Sequence, residues 1–121
     1  MKYLFLDDSR IPGDLKSEFY CNNQWDIVRN YDEFVSYINR NGIDGLFISF
    51  DHDLGFTNEY YIENNLESPD NEKSGYDCVK WLCTYCMDNN LRFPEYKIHS
   101  MNPTGAKNME CYIINFKKFT V

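Results

Sequence analysis

Three short polar clusters hold the residue types that could do chemistry: Asp7-Asp8, Asp51-His52-Asp53, and His99-Ser100 followed by Asn102. Two unscreened carboxylates about 4 Å apart repel by roughly 4 kcal/mol at an effective dielectric of about 20. A gathering of Asp7, Asp8, Asp51 and Asp53 therefore calls for a cation, shared protons or side chains splayed apart. Oxygen ligands favour Mg²⁺, Mn²⁺ or Ca²⁺ over zinc. Mg²⁺ usually takes one or two protein carboxylates, keeps several waters and accepts a substrate phosphate, so Asp7 or Asp8 together with Asp51 is enough. An unperturbed histidine titrates near neutrality, which makes His52 and His99 candidates for general acid or base.

The run from His99 to Met109 has a second use. Pro103 sits near a helix start, where its missing N–H costs little. Gly105 allows close approach, and free backbone N–H groups at the positive end of the helix dipole form an anion site. Ser100, Asn102 and Lys107 can add donors. Any one of these clusters alone reads as a capped helix, a solvated turn or a structural histidine. Their coincidence argues otherwise, because both histidines of the chain fall at predicted strand ends beside acids or the start of a helix.

The elements that must position these residues alternate. Apolar runs at Lys2–Leu6, Trp25–Val28, Leu46–Phe50 and Tyr96–His99 read as strands. Between and after them, a short helix is expected at Asp14–Phe19. A second follows Asn30, with Tyr31, Phe34, Val35 and Ile38 on one face and Gly42 as its stop. A third covers Ser74–Asn89, and a last one starts at Asn102-Pro103 and buries Ala106, Met109, Ile113 and Phe116. Residues 56–73 form a polar, acidic insertion, expected as a lid or mobile loop. Strand–helix alternation with short turns predicts an α/β fold on a parallel sheet, whose strand ends gather at one edge where ligands bind.

The whole chain of 121 residues suits a single domain, and 43% hydrophobic and 17% aromatic residues are too many for disorder. With 12 basic against 19 acidic residues the net charge is −7, which argues against bulk binding of nucleic-acid backbone. The acidic balance leaves open a phosphorylated small molecule or an RNA end held by a metal. No apolar run approaches the roughly 20 residues of a membrane span, and the start turns acidic too early for a signal peptide. A cytoplasmic protein is expected, of unknown oligomeric state. Of five cysteines, Cys83 and Cys86 form a CxxC. No second ligand pair accompanies them, and with Val79 and Leu82 they follow the i, i+3, i+4, i+7 spacing of a buried helix face.

The strings LFLDDSRIP, FDHDLG, SGYDCVKWL and IHSMNPTGAKNM, in this order over residues 4–109, resemble the cyclic-phosphate processing receiver-like family. The resemblance implies a flavodoxin-type, three-layer α/β domain. A parallel sheet of about four strands in order 2-1-3-4 is expected, lacking the usual fifth. It also implies an association with cyclic phosphates, in cyclic nucleotides or on RNA termini. Against an ordinary phosphoacceptor receiver, Asp7-Asp8 matches the metal-binding pair, Asp51 the phosphorylated aspartate and Ser100 the switch residue. The fifth strand and its phosphate-contacting Lys have no counterpart, so aspartyl-phosphate signalling is disfavoured and no labelling of Asp51 by acetyl phosphate is expected.

Two functions remain in view. The first is a metal-dependent phosphoesterase for cyclic phosphates, with Mg²⁺ or Mn²⁺ held by Asp7, Asp8 and Asp51. Asp53 is then either a further ligand or the residue that orients His52. His99 or His52 acts as general base or acid, with Asp51 also in the catalytic set. Ser100, Asn102, Gly105, Lys107 and Asn108 orient the phosphate, and Arg10 clamps it. The second is a non-catalytic module that binds a cyclic nucleotide or a partner, with Tyr60 and Tyr61 of the insertion stacking on a base.

Overall fold

The computed structural model describes residues 1–54 and 73–119. The elements run β1 (Lys2–Leu6), a 3₁₀ turn (Pro12–Leu15), α1 (Glu18–Cys21), β2 (Trp25–Val28), α2 (Tyr31–Asn41), β3 (Leu46–Phe50), α3 (Gly75–Asp88), β4 (Glu95–Ile98) and α4 (Pro103–Phe119). The insertion expected at 56–73 lies outside the described residues except for Lys73, as do Tyr60 and Tyr61. All strand pairs are parallel and the order is β2-β1-β3-β4. This is the receiver-like α/β sheet that the sequence leads one to expect. Among the described residues no helix is long and apolar enough to cross a membrane.

Side chains alternate across a strand, so each face of the sheet has its own residues. Leu4 and Leu6 of β1, Val28 of β2 and Ile48 and Phe50 of β3 join one buried cluster. Helices α2, α3 and α4 cover it with Phe34 and Ile38, with Cys78, Val79, Leu82, Cys83 and Cys86, and with Met109, Ile113 and Phe116. Cys83 and Cys86 are thus core residues, and burial pushes their thiols up to about 12 and about 11. Tyr3, Phe5, Trp25 and Phe47 line the opposite face, where α1 adds Phe19 and Tyr20 in a set of edge-on, tilted and stacked ring contacts. The third layer is therefore thin, a single turn of helix among the described residues.

Local chemistry sets the helix ends. Asn30 Oδ1 accepts from Glu33 N at 2.8 Å to start α2, and Gly42, at φ 70°, ends it. Asp77 Oδ2 accepts from Ser74 N at 2.9 Å at the head of α3. Three boundaries differ from expectation. The helix expected at Asp14–Phe19 is divided, because Pro12 starts a 3₁₀ turn, Lys16 takes a left-handed φ of 53° and Ser17 caps a new start. The fourth strand ends at Ile98, leaving His99 just beyond it. On α4 the buried stripe begins at Gly105, with Ala106 only half-buried, because the helix approaches the His52 ring over Gly105.

Candidate functional site

The ladder of the sheet continues one residue past the strands and aligns three side chains. Asp7 N donates to Val28 O at 3.2 Å, Asp51 N to Leu6 O at 2.9 Å, and His99 N to Phe50 O at 2.9 Å. Each follows its strand by one residue and continues the alternation of Phe5, Ser49 and Lys97, so all three side chains stand on the aromatic face. Ligand atoms of Asp7, Asp51 and His99 lie within 4.8 Å of one another.

Asp7 is fully buried and its acceptor positions are filled. Oδ1 accepts from Ser9 N at 3.0 Å and Arg10 N at 2.9 Å; Oδ2 accepts from Arg10 Nε at 2.8 Å and pairs with His99 Nε2 at 3.1 Å. Burial pushes the carboxyl up, but the two backbone N–H groups, His99 and the Arg10 charge outweigh it and hold Asp7 below its usual value. Asp51 behaves oppositely. Burial and then the negative charge of Asp7 push it up to about 6, against the opposing pull of Arg10, His52 N–H and the Ser100 side chain.

Arg10 is turned into the acids: beyond its bond to Asp7, Nη2 lies 3.6 Å from Asp51 Oδ1 and donates to His99 O at 3.4 Å. Arg29 braces this turn, Nη1 donating to Arg10 O at 2.7 Å and Asp7 O at 3.2 Å. The guanidinium of Arg10 therefore supplies the positive charge that a cluster of carboxylates requires.

The two histidines are held differently. His99, with 4% of its side chain exposed, stacks on Phe5 at 4.4 Å and 4°. Its Nδ1 meets Ser49 Oγ at 2.6 Å. Burial lowers it to about 4, despite the partnership with Asp7. His52 is 21% exposed, with Nδ1 2.9 Å from Asp53 Oδ1 and Asn102 Nδ2 3.3 Å from the same oxygen. Two glycines make room for this: a methyl on Gly105 would overlap the His52 ring, and one on Gly75 would overlap the carbonyl of Asp51. Gly75 N also donates to His52 O at 2.7 Å.

The remaining predicted residues divide. Ser100 reaches Asp51, and its Oγ accepts from Asn102 N at 3.0 Å. Asp8 is half-buried beside Asp7, and Asp53 has 67% of its side chain exposed at the rim. At the head of α4, Asn102 takes the N–H groups of Gly105 at 2.9 Å and Ala106 at 2.9 Å, so much of the expected anion cradle is already used by its own cap. Lys107 is exposed and stands two residues past Gly105, about 200° round the helix. It does not join the edge, and Asn108 is likewise exposed on α4.

Sequence reasoning missed Ser49, Tyr20, Arg29 and Gly75. Ser49 had a signal, as the one polar residue inside the LFISF run. Tyr20 and Arg29 had none, since their partners are distant in the chain.

A parallel sheet of order 2-1-3-4, with acids at the ends of its first and third strands, defines a receiver-like domain. The chain belongs to the cyclic-phosphate processing receiver domain family, whose model matches residues 2–115. No curated protein and no solved structure gives a significant match.

Proposed function

We propose that this chain is a metal-dependent phosphoesterase that opens cyclic phosphates, in cyclic nucleotides or at RNA ends. The observation that carries this reading is the meeting of Asp7, Asp51 and His99 within 4.8 Å at the edge of the sheet, in a family named for cyclic-phosphate processing. Two carboxylates suit a hard divalent cation such as Mg²⁺ or Mn²⁺. Asp7 and Asp51 would hold the ion, with Asp8 and Asp53 at its margin and His99 fixed against Asp7. When bound, such an ion neutralises charge that develops on phosphate oxygens.

The chain's own groups divide the rest of the work. Arg10, once it yields the carboxylates, has a planar fork of donors suited to two phosphate oxygens, with Ser100 and Asn102 alongside. His99 is neutral and has both ring nitrogens engaged, which disfavours it as the proton carrier. His52 is better suited, because Asp53 holds Nδ1 and leaves Nε2 for proton transfer, first from the attacking water and then to the leaving alkoxide. One P–O ester bond breaks, one forms to water, and a phosphomonoester results. Incubation with Mn²⁺ and either 2′,3′- or 3′,5′-cyclic nucleotides, followed by phosphorus NMR, should show the monoester. Unchanged substrate in every case overturns the reading.

The second reading, a module that binds cyclic nucleotide without turnover, is favoured by the saturation of Asp7 and the presence of Arg10 where a cation would go. Recovery of intact ligand from denatured complex supports it; altered ligand supports the enzyme.

A further inference from the structure

Behind His99, on the aromatic face, two buried hydroxyls form a line. Ser49 is fully buried and Tyr20 nearly so. Tyr20 OH lies 2.7 Å from Ser49 Oγ, and Ser49 Oγ lies 2.6 Å from His99 Nδ1. The line ends where His99 Nε2 meets Asp7 Oδ2 at 3.1 Å. Its direction follows from that end. An ionised carboxylate only accepts, so Nε2 carries the proton and donates to Asp7. Nδ1 is then a lone pair and accepts the Ser49 hydroxyl, whose oxygen accepts from Tyr20.

The size of residue 49 matters as much as its hydroxyl. His99 follows β4, whereas Phe5 lies on β1, and β3 runs between them. The imidazole crosses over Ser49 to stack on Phe5 at 4.4 Å. A larger residue at 49 would occupy that path, and alanine would leave Nδ1 buried without a partner. Rotation about the last torsion of a histidine is broad and roughly two-fold. A ring turned by half a revolution loses both polar contacts, so a hold on each nitrogen is needed to fix it.

We propose that Tyr20 and Ser49 are positioning residues for His99, a line of buried hydroxyls that keeps the imidazole in its Nε2–H tautomer and aimed at Asp7. This rests on reading the strand-end pocket as the functional centre, and it extends that centre onto the opposite side of the sheet from the main core. It also accounts for α1, a four-residue helix capped by Ser17 that delivers Tyr20 to the back of Ser49.

Only two histidines occur in the chain, so nitrogen–proton correlation spectra of histidine-labelled protein resolve both rings. In metal-free protein near neutral pH, His99 should show the Nε2–H tautomer with a hydrogen-bonded, unprotonated Nδ1. Ser49→Ala should move the Nδ1 resonance to that of a free lone pair and leave His52 in place. Tyr20→Phe, which keeps the ring and loses only the hydroxyl, should move it less and in the same direction. An Nδ1–H tautomer in the wild type, or an unmoved Nδ1 resonance in Ser49→Ala, overturns the proposal. Where the wild type opens a cyclic phosphate, Ser49→Ala should lower kcat by about tenfold with little change in KM. Turnover tests the functional reading, whereas the spectra decide the positioning of His99 even in protein that turns nothing over.

Discussion

On β3, Ile48 and Phe50 point into the layer of α2, α3 and α4, while Ser49 between them points toward α1. The helical face is a large apolar cluster with many interchangeable contacts. The other face is an aromatic patch at one end and a line of single hydrogen bonds at the other, running from Tyr20 through Ser49 and His99 to Asp7. One face is redundant, and on the other the inner members of the line, Ser49 and His99, each have one partner on either side. Stability should therefore reside mainly on the first face and chemistry on the second.

The largest effect expected is on the redundant side. Phe50→Ala removes a fully buried ring and should cost about 3–5 kcal/mol, read as a fall in the urea midpoint. Phe47→Ala removes a half-buried ring from the opposite face and should cost clearly less. Equal losses would erase the distinction between the faces.

Next, the site should reveal itself through pH, in chelator, by two opposing slopes. Asp51 is raised from 3.8 to about 6, so its contribution to stability is complete below about pH 4 and is lost as pH rises through 6. His99 is lowered from 6.5 to about 4, so its contribution is present above pH 6.5 and is lost as pH falls through 4. Each is worth on the order of 3 kcal/mol, and in the wild type they largely cancel. Asp51→Asn should leave stability rising with pH across that window, and His99→Asn should leave it falling. Parallel slopes in the two variants would show that burial does not shift the two groups in opposite directions.

The two faces also differ in how far they could be read from sequence. The helical face was legible because period-2 strands and a helical stripe such as Phe34-Ile38 follow from local geometry. The strand-end acids and His99 were legible as well, since a parallel sheet brings its ends to one edge. What the sequence withheld was who touches whom there. Arg10 was expected on a phosphate and instead lies against Asp7 and Asp51, because unpaired buried carboxylates demand the nearest positive charge. Tyr20 was hidden because Lys16, in a left-handed conformation, breaks the expected helix and lets Ser17 begin another in a different register.

A smaller effect should separate glycines. Gly105→Ala forces a methyl into the His52 ring and should cost about 1–3 kcal/mol while shifting the His52 ring resonances. Gly13, with nothing within 4 Å of an added methyl, should accept alanine with a change of about 0.5 kcal/mol or less. Loss of stability in both would mean that backbone preference, and not contact with His52, decides the outcome.

The smallest effect concerns the two basic residues named for phosphate. Lys107 stands on the side of α4 away from Gly105 and His52, exposed to solvent, whereas Arg10 lies within the acidic pocket with 25% of its side chain exposed. A charge that far round the helix acts on an anion at the edge only through water, where salt screens it within about 10 Å. Lys107→Ala should therefore change the binding of a phosphate analogue by less than about twofold in about 0.1 M salt. Arg10→Ala, measured beside it by calorimetry, should weaken binding far more and also change the response to Mn²⁺, since it removes the pocket's own positive charge. A loss in Lys107→Ala equal to that in Arg10→Ala would place the anion over α4 and away from the strand ends, and the centre of the site would have to move with it.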